Sequence, residues 1–298
     1  MLGAAMKIVL SALLLITVLS SAQAREFRDL TNLEGKTIKA ELLDLTEDGM
    51  VKVNVNLKPF QIPLDQLSAA DQEWLKKWNT ERKLGKEAAY FSRELFADDF
   101  SAGAFGERWG HYKSGSVVKD GVLVGITPEG SDHSAVDSIR FEGEKDLQVE
   151  VKFQFVSEQA KSFNVWFDDK DLKESHAGHV CQVTVSPTQV VMSDAKTGAF
   201  TLENGLYDRK KANQLTEDEK AMLETKTARV PVQIELKKWH TLTARTQEDQ
   251  IEVLIDGKQV GTFKSPGVAH PTKSLVSLTT NAVDVHYDDF SLKAAAKP

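Results

Sequence analysis

The sequence predicts an all-β protein with minor helices, built as a small β module followed by a larger antiparallel β-sandwich. Three observations carry this reading. Apolar residues recur at every second position: Leu147, Val149, Val151, Phe153 and Phe155 alternate with Gln148, Glu150, Lys152 and Gln154, the signature of a strand with one buried face. Turn signals such as Glu47-Asp48-Gly49 and Asp256-Gly257-Lys258 separate such segments. No strand–helix–strand rhythm runs through the chain, so an antiparallel arrangement is expected rather than a parallel sheet.

Composition narrows the class. Of 298 residues, 41% are hydrophobic and 27% charged, a globular balance that excludes wholesale disorder and a multi-span membrane protein. The formal net charge of -7 repels a phosphate backbone, which excludes nucleic acid as a partner. The single cysteine, Cys181, permits neither an intrachain disulfide nor a cysteine-rich zinc site. Set among valines, it reads as a buried, inert thiol. Residues 1–24 read as a signal peptide: Lys7, an apolar run over 8–19, and Ala22-Gln23-Ala24 before Arg25. That run falls short of the roughly 20 residues a spanning helix needs. The mature chain is therefore expected to be exported, periplasmic or extracellular, with no membrane association after cleavage.

Residues 25–78 form the small module. Strands are expected over 37–43, 50–57 and 60–64, with Val51, Val53, Val55 and Leu57 on one face. Pro63 belongs at a strand end or sheet edge because it has no N–H to donate. Ser68 reads as a helix N-cap with Asp71 at the third helical position, and a short helix follows over 71–78. Residues 79–94, rich in charge and helix formers around Gly85, are expected to be a separate helical linker. Phe27-Arg28-Asp29-Leu30, Gly35-Lys36, the Val-x-Val strand, Ile62-Pro63-Leu64 and Leu67-Ser68-x-x-Asp71 resemble the first Sla homology domain. The resemblance implies an SH3-like barrel, frequent near the N-terminus of secreted bacterial proteins. Such a module serves as an adaptor or spacer, or meets a protein or cell-wall partner.

The sandwich is expected over 95–294. Its strands include 147–155, 163–167, 179–186, 188–193, 239–245, 250–255, 259–263, 274–280 and 283–292, with Asp256-Gly257-Lys258 as a tight hairpin turn. In the third of these, Val180, Gln182 and Thr184 are placed on one face and Cys181, Val183 and Val185 on the other. A charged helical insertion is expected over 203–228, where Thr216-Glu217-Asp218-Glu219 is a capping box. Leu95-Phe96-Ala97-Asp98-Asp99-Phe100, Trp239-His240-Thr241-Leu242, Ile255-Asp256-Gly257-Lys258-Gln259-Val260-Gly261 and Tyr287-Asp288-Asp289-Phe290 resemble the concanavalin A-like jelly-roll group. Within that group the chain is most similar to the 3-keto-disaccharide hydrolase family and its laminin-G-like relatives, which implies a role in sugar processing. Where that family carries Gly-Asn-Ser-Gly, this chain has Ser162-Phe163-Asn164-Val165.

Several clusters carry candidate chemistry. The segment 168–179 holds Asp168, Asp169, Asp171, His176 and His179 between two expected strands, where binding residues commonly sit. His176 and His179 are the candidate proton-transfer groups, with Asp169 as partner, and the same loop has the donors for a divalent metal. Trp166 lies mid-strand, facing opposite to Val165 and Phe167, and is expected on the open face with Asn164 and Asp168 as ligand-binding residues. Trp109, His111, Tyr112, Tyr207 and Trp239 are further candidates for stacking on sugar rings. Asp99, Asp288 and Asp289 fall on first and last strands that often lie together, which suggests a structural calcium site. The Glu-x-Asp-x-x-Glu pattern of two-carboxylate laminarinase-type glycosidases is absent from the sequence. The leading expectation is an exported carbohydrate-binding protein using the concave face of the sandwich. The alternatives are a hydrolase or lyase acting on 3-keto-sugars, and a non-catalytic interaction protein of the cell envelope.

Overall fold

A computed structural model of the chain describes residues 26–281 and 285–297. The expected signal peptide and the start of the strand expected over 283–292 lie outside the described residues. The chain divides into two compact units, one up to residue 86 and one from residue 87.

The first unit is a four-stranded antiparallel sheet of β1 (Phe27–Thr31), β2 (Thr37–Leu45), β3 (Met50–Val55) and β4 (Lys58–Pro63), in that order, followed by the helix α1 (Ala69–Tyr90). An isolated bridge between Asn32 and Leu67 brings the chain after β4 back beside the end of β1. Leu30, Ala40, Leu42, Val51, Val53, Leu75 and Trp78 form its core. Pro63 is the last residue of an edge strand, as its missing N–H requires. Two expectations are corrected. Leu57 does not continue the apolar face: Asn56 and Leu57 take positive φ (50° and 64°) as the two-residue turn between β3 and β4, leaving Leu57 81% exposed. The short helix and the linker are also one 22-residue helix. No proline interrupts the charged run, and one interior glycine costs only about 1 kcal/mol. At its start, Ser68 Oγ accepts from the Asp71 N–H (3.2 Å) and donates to the Asp71 carboxylate (2.9 Å), which also takes bonds from Arg28 and the Thr31 N–H. Burial pushes the Asp71 carboxyl up, but these bonds outweigh it and leave it below the usual range.

The second unit contains β5 (Arg93–Asp98), β6 (Trp109–Tyr112), β7 (Val117–Lys119), β8 (Val122–Gly125), β9 (Ala135–Glu144), β10 (Leu147–Phe155), β11 (Ser162–Asp168), β12 (His179–Val185) and β13 (Gln189–Asp194). Helices α2 (Leu206–Lys211) and α3 (Glu217–Thr225) follow, then β14 (Thr227–Pro231), β15 (His240–Gln247), β16 (Gln250–Ile255), β17 (Lys258–Lys264), β18 (Lys273–Asn281) and β19 (Val285–Ala294). One sheet runs β17-β16-β15-β10-β19-β8-β7, with β5 on the far part of β19; the other runs β14-β13-β12-β11-β18-β9-β6. The ladders are antiparallel, giving an all-β sandwich. Alternation does what it predicts: Leu147, Val149, Val151, Phe153 and Phe155 face Phe163, Val165, Phe167, Val276 and Leu278 in one core, all at most 1% exposed. Burying a side chain of this size contributes about 1.5–3 kcal/mol.

The motifs that mark the sandwich are structural. Asp256 and Gly257 take φ of 52° and 71° as the two-residue turn between β16 and β17. Asp256 accepts from His240 Nδ1 (2.8 Å) and the Thr241 N–H (2.8 Å), so the Trp-His and Ile-Asp-Gly elements tie one strand pair together. The expected insertion forms as α2 and α3, with both halves of the Thr216–Glu219 capping box present. Its end pairs as strand β14, which was not expected. Cys181 is fully buried, and burial pushes its thiol up to about 12.

Candidate functional site

Because successive strand residues face opposite sides, the inner face of the seven-stranded sheet dictates its outer face. With Phe163, Val165 and Phe167 in the core, Asn164, Trp166 and Asp168 point outward. Strand register extends them into three transverse rows. Val136, Thr279, Asn164 and Thr184 form one; Ser138, Ser277, Trp166 and Gln182 the next; Arg140, Leu275, Asp168 and His179 the third. Apart from Thr184 and Gln182, these residues floor a groove of about 850 Å³, with Tyr112 and His133 on one side and His176 and Phe200 on the other.

A β-bulge shapes the third row. The β11–β12 register shifts between Phe167 and Asp168, so Phe167 faces Cys181 but Asp168 faces His179. The extra residue, Val180, is buried with the core, which corrects its expected place beside Gln182 and Thr184. His179 Nδ1 bonds Asp168 Oδ1 at 2.8 Å. With Nδ1 donating, the neutral ring keeps its lone pair on Nε2. Asp168 is buried, which pushes its carboxyl up against the lowering effect of His179.

The preceding loop is fixed from both ends. Gly178 has φ of 76°, and a Cβ there would sit 2.1 Å from the Asp169 carbonyl oxygen, so only glycine fits. The His176 N–H donates to the Phe200 carbonyl (2.8 Å), which brings the 195–207 segment over the groove. The result is an aromatic wall. His179 stacks on Trp166 (centroids 4.1 Å apart), Phe200 meets Trp166 edge-on (5.2 Å), and Tyr207 of α2 stacks on His176 (4.2 Å). Burial, the neighbouring His179 and Lys211 lower the His176 pKa. The insertion also roofs a second pocket of about 420 Å³ that shares Phe200.

The structure brings His176, His179, Trp166, Asp168 and Asn164 to this groove. It places Asp169 elsewhere. That carboxylate accepts from the Asp171 N–H (3.1 Å), His270 Nε2 (3.0 Å), Thr272 Oγ1 (2.7 Å) and Ser274 Oγ (3.1 Å). Burial pushes it up, but these bonds prevail and hold it at about 2. The residue partnering a groove histidine is Asp168, one position earlier. Trp166 lines the groove but is only 9% exposed because His179 and Phe200 cover it. Tyr112, 56% exposed at the groove edge, is the open aromatic surface. Trp109 is buried in the core, donating to Asp98 (2.7 Å).

β5 and β19 do lie side by side, yet their acids are committed separately. Asp99 takes the Ser101 N–H and hydroxyl, Asp288 takes the Asp289 N–H, and Asp289 pairs with Lys152. Among the described residues no three histidine, cysteine or carboxylate side chains converge as a metal site, at these acids or at the His176–His179 loop. The groove residues missed by sequence reading include Ser138, Arg140, Ser277, Thr279 and Phe200. The first four were available as alternate positions of β9 and β18, but only strand order sets them beside Trp166.

No protein-family model matches the chain, and no curated protein matches it. Solved structures similar to it include a laminarinase from Rhodothermus marinus, at 11% identity and TM-score 0.47 over 69% of this chain and 98% of that one. A non-specific endo-β-1,3(4)-glucanase of family GH16 matches at 12% identity and TM-score 0.47, over 68% and 91%. The carbohydrate-binding module CBM66 from Bacillus subtilis matches at 12% identity and TM-score 0.43, over 63% and 96%. At these identities and scores the resemblance assigns the chain to no family. Among the described residues, no helix is long and apolar enough to cross a membrane.

Proposed function

We propose that the groove on the outer face of the seven-stranded sheet binds carbohydrate. The observation that carries this is the composition of its lining: hydroxyl and amide side chains (Ser138, Ser277, Thr279, Asn164, Asn281) beside aromatic rings (Tyr112, Trp166, Phe200). A sugar ring has apolar C–H faces and a rim of hydroxyls, so it asks for both kinds of surface at once. A glycan array followed by calorimetry tests it. The expected result is a binder whose affinity falls about three- to tenfold in Tyr112→Ala, the worth of one aromatic contact. Absence of any glycan binding at millimolar concentration contradicts it.

A second reading, hydrolysis or lysis of 3-keto-sugars, is favoured by the Asp168–His179 hydrogen bond. The groove's two carboxylates are engaged, Asp168 by His179 and Asp132 by Lys113, so proton transfer falls to histidine rather than to a carboxylate pair. His179 Nε2 would accept the proton from the carbon between the keto group and the glycosidic carbon, with Asp168 stabilising the imidazolium. The electron pair left as an enolate then forms a C=C bond as the glycosidic C–O bond breaks, and the imidazolium returns the proton to the departing oxygen. Addition of water across the C=C bond would complete a hydrolysis. Turnover of a 3-keto-glucoside that His179→Ala abolishes supports this reading. Binding without turnover leaves the groove as a binding site alone.

A further inference from the structure

The charges around the groove are not balanced. Asp132 is paired with Lys113, and Asp168 is hydrogen-bonded to His179. Two cations remain, Arg140 and Lys170, both exposed and both lining the groove. Among the described residues neither has a carboxylate within ion-pair distance.

Their placement is specific. Arg140 stands opposite Leu275 in the third row, and Leu275 stands opposite Asp168. Lys170 follows two residues later, and its N–H donates to Ser274 Oγ (3.0 Å), next to Leu275. The two cations therefore flank Leu275 at one end of the groove. Arg140 and Asp168 are two strands apart, about 10 Å at the usual strand spacing. Among the described residues that line the groove, the carboxylate at that end is Asp168, which is bonded to His179.

We infer that this end of the groove takes the anionic substituent of an acidic glycan, a ring carboxylate or a sulfate ester, held by Arg140 and Lys170. The inference rests on the carbohydrate-binding reading and names the class of sugar. Arg140 offers a planar fork that matches either group in two parallel hydrogen bonds, and Lys170 adds a movable point charge. The neutral part of the ligand then runs along the Trp166 and Asn164 rows toward Tyr112.

The test is an array that prints the same sugar backbones in neutral, uronate and sulfate-ester forms, read at 0.05 M and about 0.5 M salt. The expected result is at least tenfold preference for an acidic form over its neutral match, reduced at high salt. The carboxylate and sulfate arms tell which substituent is recognised. Arg140→Gln and Lys170→Gln, both surface changes, should each cut that preference about fivefold or more, and Arg140→Lys should retain part of it. Equal binding of acidic and neutral forms overturns the inference and leaves carbohydrate binding standing. A preference indifferent to both substitutions also overturns it. No binding to any form overturns the underlying reading as well.

Discussion

Asp169→Asn separates a structural carboxylate from a catalytic one. Asp169 is 5% exposed and accepts four hydrogen bonds that join the loop after β11 to the start of β18 and to His270. In the folded chain it titrates at about 2, while an unfolded aspartate titrates near about 3.9. The unfolded chain thus takes up a proton that the folded chain refuses. The stabilisation is complete above about pH 5, is worth between about 2 and 3 kcal/mol, and has lost about 2 kcal/mol of that by about pH 2. Asparagine cannot titrate and turns an N–H2 toward donors. Stability of the sandwich can be read from hydrogen exchange in peptides of β11 and β18, for the full chain, from pH 6 down to pH 2. The wild type should exceed Asp169→Asn by at least about 2 kcal/mol at pH 6, and that margin should shrink by about 2 kcal/mol on acidification. A margin that does not change with pH, or no loss at pH 6, refutes the reasoning.

Other substitutions probe the remaining elements. Gly178→Ala forces a Cβ to 2.1 Å from the Asp169 carbonyl at a positive φ; thermal melting should show a loss of more than about 2 kcal/mol. Thr216→Ala removes half of the capping box and should cost about 1 kcal/mol. Since α3 buries no residue, the loss should appear as faster exchange over 217–225 with an unchanged global midpoint. Leu57→Gly relieves a left-handed residue that buries almost nothing, so urea unfolding should show the first unit gaining about 0.5 kcal/mol after the added chain entropy is offset.

Strand positions and turns were legible in the sequence because each leaves a local mark. Alternation located β10, β11 and β16 nearly to the residue, Asp256-Gly257 located its hairpin, and Thr216-x-x-Glu219 located α3. Trp166 could be placed outside the core because Val165 and Phe167 flank it. What escaped depends on pairing between distant segments. Arg140 and Ser138 reach the groove because β9 lies beside β18, and Phe200 does because the His176 N–H holds its carbonyl. Which acid partners His179, Asp168 rather than Asp169, is hidden for the same reason. A bulge at Phe167/Asp168 sets which acid faces His179, and no local pattern in the sequence announces a one-residue bulge. Asn56-Leu57 shows a milder case: an apolar residue inside an alternating run was drawn into the strand, whereas the turn needed that position.

The central claim is that a sugar lies across the outer face of the seven-stranded sheet. The most direct measurement is a crystal structure with an oligosaccharide found by the array. The account predicts a ring against Tyr112, hydroxyls bonded along the Ser138–Ser277 and Asn164–Thr279 rows, and one end at Arg140 and His179. A saccharide bound on the eight-stranded sheet, or on the first unit, with this groove empty at saturating concentration, contradicts it.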